Sequence, residues 1–157
     1  MISSEEFLQF CDKALDAYAG ILRDLGDDLV CVRPDLPGAN TAFGLTAHVV
    51  GVMGFWARTT NLGVVVPRDR TAEFLATGTV DQALALLAFG RSRLHEDVAD
   101  AADFRARPTK PPPDRPDDEY ATQGAVLLHV YEELAQHVGQ LEIIRDALRA
   151  ATRRACP

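Results

Sequence analysis

Apolar residues recur at intervals of three and four along four stretches of the chain, the spacing of one face of an α-helix. Two of these stretches open with a capping box, Ser3-x-x-Glu6 and Thr79-x-x-Gln82, in which side chains satisfy the first free backbone amides of a helix. The predicted helices run from Ser3 to near Gly26, from Asn40 or Thr41 to about Asn61, from Thr79 through Val98, and from about Thr122 to Ala150. The pattern therefore predicts an all-α protein.

The segments between these helices are rich in turn-forming residues. RPDLPGAN, after the first helix, holds two prolines and a glycine, and Pro108 to Pro116 holds five prolines, which exclude a helix interior. Only the short run Val64 to Val66, before Pro67, has the composition of a strand. We expect one domain over residues 1–157, a four-helix bundle with up-up-down-down topology and crossover connections.

Composition narrows the classes of partner. The 157 residues carry a formal net charge of −7 and a pI near 5.0, which disfavours nucleic acid and anionic membranes as partners. No apolar run approaches the ~20 residues needed to span a bilayer, and the N-terminus MISSEEF is acidic where a signal peptide is basic. Three cysteines without C-x-x-C spacing suggest neither a disulfide framework nor a zinc ribbon. A cytoplasmic protein is expected.

Ionisable residues with metal-binding side chains interrupt two of the apolar stripes. Glu133 and His137 lie one turn apart on the last helix, within reach of a single ion, and His48 occupies a core position on the second helix. A carboxylate at such a position needs a cation, a proton or a buried partner. Gly44 and Gly51 flank His48, which suggests open space for a ligand above it. Two imidazoles and a carboxylate suit Zn²⁺ with a free fourth position, and Ni²⁺, Mn²⁺ and Fe²⁺ also accept such ligands. On spacing alone, ordinary core residues remain the alternative.

Three segments, TAFGLTAHVVGVMGFW, RDRTAEF and LLHVYEELAQHVGQLEIIRDAL, resemble a known family. They are similar to the actinobacterial DinB-like proteins that include mycothiol-dependent S-transferases and the N-terminal domain of mycothiol-dependent maleylpyruvate isomerase. The resemblance spans roughly residues 5 to 150, and its most specific part is the helix-two histidine paired with E-E-x-x-x-H-x-G. It implies a DinB-like bundle in which His48, Glu133 and His137 hold a catalytic metal, normally zinc. It further implies mycothiol as cosubstrate and a homodimer.

Two departures from that family bear on the activity. Many relatives have a second histidine where this chain has Gln140, and the chain ends at Pro157 without the second domain of the isomerase. A stand-alone thiol S-transferase, whose metal-bound thiolate attacks an electrophile, is therefore the leading hypothesis. A hydrolase that uses metal-bound water and a non-enzymatic bundle that binds a small apolar ligand are the alternatives.

Four further residues are candidates for binding the substrate or thiol. Arg91 interrupts the apolar stripe of the third helix and is expected to bind an anionic group, or else to extend from the edge of the stripe into solvent. His129 lies one turn before Glu133 and is expected to orient it or to line the cavity, or else to lie on the surface. In the hydrolase alternative Gln140 orients the substrate. In the binding alternative Trp56, with Phe55 and Met53, lines a pocket near His48, and a place in the ordinary core is the other interpretation of these side chains.

Overall fold

The computed structural model describes residues 2–101, 103–111 and 119–155, and within these ranges the regular secondary structure is entirely helical. The helices are α1 (Ser4–Leu29), α2 (Ala42–Met53), which continues as a π-helix (Gly54–Asn61), α3 (Arg70–Leu75), α4 (Val80–Asp100) and α5 (Gln123–Ala155). The all-α prediction is confirmed. The proline run is described only at its beginning, since residues 112–118 lie outside the described ranges.

The predicted caps form as the sequence indicates. Ser3 and Glu6 close the capping box of α1, and Thr79 and Gln82 close that of α4. Thr41 caps α2 by accepting a hydrogen bond from the amide of Gly44. Side chains therefore satisfy backbone amides at the start of three long helices, which fixes where each begins.

One local prediction from the sequence is wrong, and one short helix is not predicted by it. The run Val64 to Val66 has no regular secondary structure, because no second strand is present among the described residues to pair with it. The helix α3 was not predicted, since six residues are too few to show a helical period. Its start is fixed by Asp69, whose carboxylate accepts a hydrogen bond from the amide of Ala72.

Four long helical segments pack around one apolar core. Helix α1 contacts α4 and α5, and α2 with its π-helical continuation contacts the same two helices from the opposite side. The fully buried large side chains come from all four segments: Leu15, Tyr18, Leu22, Leu45, Val49, Val52, Met53, Leu94, Leu127, Leu134 and Leu141. Burial of these side chains provides the main stabilising term of the bundle. No helix in the described part of the chain is long and apolar enough to cross a bilayer.

The direction of the helices differs from the expected up-up-down-down order. The amide of Phe43 donates to the carbonyl of Val30, so α2 begins beside the end of α1 and runs back antiparallel to it. Asn61, at the end of the second segment, bonds to Gln123 at the start of α5, so α5 returns parallel to α1. The bundle is therefore up-down-down-up.

The crossover lies between α2 and α4 rather than after α1. Helix α4 starts beside the end of α1, where the amide of Val80 donates to the carboxylate of Asp27, and it runs parallel to α2. The chain from residue 62 to residue 79, which includes α3, must therefore return along the length of α2. This return path lays α3 across the outer face of α2.

Gly26 is a non-helical position inside α1, where the sequence predicted that the helix ends. Its backbone (φ 67°, ψ 176°) lies in a region open almost exclusively to glycine, and a Cβ there would meet no atom within 4 Å. We expect Gly26→Ala to lower the free energy of unfolding by about 1–3 kcal/mol through backbone strain alone. Gly20→Ala is the matched control, because Gly20 lies in the exposed interior of α1 with the same open space and should gain about 0.5–1 kcal/mol. Equal effects in urea unfolding would contradict this account.

Candidate metal centre

Antiparallel packing of α2 against α5 brings the three predicted ligands together. His48 projects from α2 with 3% of its surface exposed, while Glu133 and His137 project from adjacent turns of α5. The Oε2 atom of Glu133 lies 3.3 Å from Nε2 of His137 and 3.7 Å from Nε2 of His48. One ligand atom from each residue lies within 4.8 Å of the others. The cluster therefore has the dimensions of a metal-binding site.

The remaining nitrogen of His48 is held by a residue that the sequence analysis did not single out. Nδ1 of His48 lies 2.9 Å from Oε2 of Glu73 on α3. A carboxylate accepts a hydrogen bond, so the proton of His48 resides on Nδ1 and the lone pair of Nε2 faces Glu133. Arg68 donates two hydrogen bonds to Glu73, at 2.7 and 3.1 Å, and fixes its orientation. Phe74 stacks on the imidazole at a centroid distance of 4.5 Å.

The glycines beside His48 admit α3 and do not leave an empty space. A Cβ on Gly51 would lie 2.0 Å from Oε1 of Glu73, and one on Gly44 would lie 3.0 Å from the carbonyl oxygen of Phe74. The prediction of open space for a ligand at this face is therefore wrong. The glycines instead allow α3 to approach the backbone of α2 closely enough for Glu73 to reach His48.

His137 is oriented in the same way by its own helix. Its Nδ1 lies 2.7 Å from Oε1 of Gln140, so the amide oxygen accepts the Nδ1 proton and Nε2 faces Glu133. The His48 and His137 rings are nearly perpendicular, with centroids 4.9 Å apart. Gln140 is expected from the sequence to orient a substrate. In the structure its side chain instead contacts His137 and orients that ring.

The carboxylate of Glu133 is kept ionised. The neighbouring imidazoles of His137 and then His48 hold the pKa of its carboxyl well below the usual range, against the opposing effect of burial. That stabilisation requires a second proton, on Nε2, in an imidazole whose Nδ1 proton is already donated to Glu73 or Gln140. A metal ion can replace that extra proton, because both histidines and the carboxylate then present lone pairs to it.

This donor set fits a divalent ion. Tetrahedral Zn²⁺ with bonds of 2.0–2.2 Å places neighbouring ligand atoms about 3.4 Å apart, close to the two separations that Glu133 makes with the histidines. Each histidine also has the hydrogen-bond acceptor on Nδ1 that metal-bound histidines almost always have. Three protein ligands leave a further coordination position for an exogenous group.

An aromatic cluster borders Glu133 on the side away from His137. His129 lies one turn earlier on α5, with Nε2 3.6 Å from Oε1 of Glu133 and Nδ1 3.1 Å from Glu132. Its ring meets Trp56 edge-on at a centroid distance of 4.6 Å and Tyr120 at 5.3 Å. The structure thus brings His129 and Trp56 to the cluster, with Trp56 itself buried.

Arg91 lies on another face of the bundle. Its guanidinium pairs with Asp16 at 2.5 Å and with Asp12 at 3.4 Å, and both partners are on α1. The apolar stripe of α4 predicted that Arg91 faces a neighbouring helix but not which one. No described contact joins Arg91 to His48, Glu133 or His137, so its expected role in anion binding lacks a link to the candidate site.

Comparison with known proteins bears on the fold and the family of this chain. The chain is similar to a crystal structure of a variant of mycothiol-dependent maleylpyruvate isomerase, with a TM-score of 0.64 and 17% sequence identity. The match covers 89% of this chain and 61% of the isomerase chain, and at this identity it shows a shared all-helical, DinB-like fold. No curated protein gives a match.

The family match is more specific. Residues 6–150 match the mycothiol S-transferase family, which is nearly the whole of the described chain. The protein belongs to this family.

Replacement of Gly51 tests whether Glu73 supports the site. In Gly51→Ala the new methyl group must displace the end of Glu73, which breaks the contact with His48. We expect the affinity for Zn²⁺ to fall about tenfold or more, and the metal-free protein to lose about 1–3 kcal/mol of stability because the buried Nδ1 of His48 loses its acceptor.

Gly139→Ala is the control for that variant. Gly139 lies two residues from His137, and a Cβ there would meet nothing within 4 Å. Its Zn²⁺ affinity, measured by competition with a chromophoric chelator, should equal that of the wild type. Equal affinity of the Gly51 variant would show that Glu73 does not support the metal site.

Proposed function

We propose that this protein is a metal-dependent thiol S-transferase that activates mycothiol or a similar low-molecular-weight thiol for attack on an electrophile. One observation carries the proposal: Nε2 of His48, Nε2 of His137 and a carboxylate oxygen of Glu133 converge, while both Nδ1 atoms are bound to acceptors. Membership of the mycothiol S-transferase family supports the choice of thiol.

In this mechanism the chain holds the ion and orients its ligands. His48, Glu133 and His137 bind the metal, for which Zn²⁺ is the best fit among divalent ions. Glu73 and Gln140 keep the two imidazoles in the tautomer that offers Nε2. A bound divalent ion supplies Lewis acidity, which lowers the pKa of a coordinating thiol from about 8.5 and favours the nucleophilic thiolate.

The residues beside Glu133 are proposed to shape the binding site for the thiol and the electrophile. Trp56 and His129 form a rigid aromatic wall through their edge-on contact. Such a wall contributes apolar contact area next to the ligand cluster and limits the access of water to it. Arg91 has no part in this proposal, because its charge is paired with Asp12 and Asp16 on another face.

The role of Glu133 as a metal ligand gives one prediction. Glu133→Gln nearly preserves the shape of the side chain but removes the negative charge. We expect metal content and thiol-dependent turnover to fall together by at least tenfold, while the helical circular dichroism spectrum stays the same because the buried apolar side chains are untouched.

A matched variant controls for general effects on α5. Glu142→Gln removes the same charge from an exposed position of the same helix and should retain metal and activity. Thiol transfer by a metal-free Glu133→Gln protein would disprove the mechanism.

Thiol binding itself gives a second prediction. Since a thiol loses its proton on coordination, mycothiol should bind the zinc-loaded protein near neutral pH with release of close to one proton. Calorimetry in two buffers of different ionisation enthalpy measures this number, and protein stripped of metal by a chelator serves as the control. Turnover of an ester or amide without added thiol would instead indicate a hydrolase, and ligand binding that is indifferent to the metal would indicate a binding protein.

A further inference from the structure

Tyr18 on α1 is a buried polar side chain without a partner. Its exposed fraction is 0%, and its hydroxyl group has no hydrogen-bond partner among the described residues. Leu15 and Leu22, one turn away on either side, are equally buried, so the position lies in an apolar layer. An unsatisfied buried hydroxyl costs about 1–3 kcal/mol, and phenylalanine would fill nearly the same volume without that cost.

The packing of α1 on α5 brings this residue close to the metal centre. The rings of Phe10 and Tyr131 are in contact at a centroid distance of 5.9 Å. Further along, Asp24 lies 3.9 Å from Arg145 and is bonded more closely to Arg149, one turn later. The contacts with Tyr131 and Arg145 are separated by equal numbers of residues on both helices, which run parallel. Tyr18 therefore lies level with the turn that follows His137, and its side chain leans back along the helix toward His137 and Glu133.

The electrostatic relation to Glu133 agrees with this position. Burial, and then the negative charge of Glu133, raise the pKa of Tyr18 well above its usual range. A phenol with its ordinary pKa of about 10 is already a neutral hydrogen-bond donor at physiological pH, and a carboxylate is the acceptor that suits it best.

One oxygen of Glu133 needs such a donor. Oε2 faces the two histidines, whereas Oε1 has only Nε2 of His129 nearby, at 3.6 Å, beyond hydrogen-bond distance. Carboxylates that bind metals are generally hydrogen-bonded through outer-shell residues, which fix their orientation. No described residue donates a close hydrogen bond to Oε1.

We propose that Tyr18 is a positioning residue of the metal centre, whose hydroxyl group donates to Oε1 of Glu133 when a divalent ion draws Oε2 toward His48 and His137. The assignment deepens the proposed function and rests on the metal-binding part of it. Tyr18 approaches Glu133 from the core of the bundle, whereas Glu73 approaches His48 from α3 on the outer face of α2. Each of these two ligands then has a hydrogen-bond partner behind it.

Tyr18→Phe tests the assignment with measurements that do not depend on turnover. The Zn²⁺ affinity, from competition with a chromophoric chelator, should fall about tenfold, within the range that outer-shell contacts contribute. The absorption bands of the Co²⁺-substituted protein should shift, because the orientation of Glu133 changes. The melting temperature of the metal-free variant should be equal to or above that of the wild type, since an unsatisfied hydroxyl is removed.

Tyr131→Phe is the matched control, because Tyr131 is a half-buried tyrosine on α5 that packs against Phe10. It should leave Zn²⁺ affinity and the Co²⁺ spectrum unchanged. Wild-type affinity in Tyr18→Phe, or a lower melting temperature of its metal-free form, would overturn the assignment while leaving the metal site intact. Failure of the wild type itself to bind Zn²⁺ or Co²⁺ would reject the proposed function and this inference with it.

Discussion

A carboxylate placed between two imidazoles on an otherwise apolar seam is the constraint on which the rest of this structure depends. Glu133 is about one-quarter exposed, so water compensates only part of the cost of its charge. The two histidines offset a larger part of that cost, which is why the pKa of Glu133 is low although its side chain is partly buried. The histidines in turn need fixed orientations, and Glu73 and Gln140 provide them. The contacts of the two histidines with Glu133, and those of Glu73 and Gln140 with the histidines, are therefore all related to the charge of Glu133.

The sequence identifies two of the three residues that converge in the candidate site because the helical period is a local property. Glu133 and His137 are four residues apart on one helix, so their meeting needs no knowledge of the tertiary structure. Glu73 meets His48 across 25 residues of sequence, through a six-residue helix and an irregular return segment. No period marks that contact. Gly51 is the one sequence feature that marks the contact between Glu73 and His48. A glycine inside a helix indicates that another group approaches the backbone closely, but it does not show whether that group is a ligand or a neighbouring segment of the chain.

The same difference between local and tertiary information explains why the sequence predicts neither the directions of the helices nor the helix that Arg91 contacts. Capping boxes and apolar stripes fix where helices begin and which face is buried, and both agree with the structure at Ser3 and Thr79. They contain nothing about the direction of one helix relative to another, which is decided by backbone contacts such as that of Phe43 with Val30. A stripe likewise shows that Arg91 faces a neighbour, while the choice of α1 over α5 is a property of the assembled bundle.

The position of the candidate site within the bundle would link the proposed metal binding to folding. His48 comes from α2, Glu133 and His137 come from α5, and the support of His48 comes from α3, which has no buried residue of its own. Helix α3 gains its place through Glu73, Phe74 and Arg68, all of which converge on or near the imidazole. An ion bound to Nε2 polarises the imidazole and strengthens the hydrogen bond from Nδ1 to Glu73. Metal binding and the docking of α3 should therefore stabilise each other, since each favours the same orientation of His48.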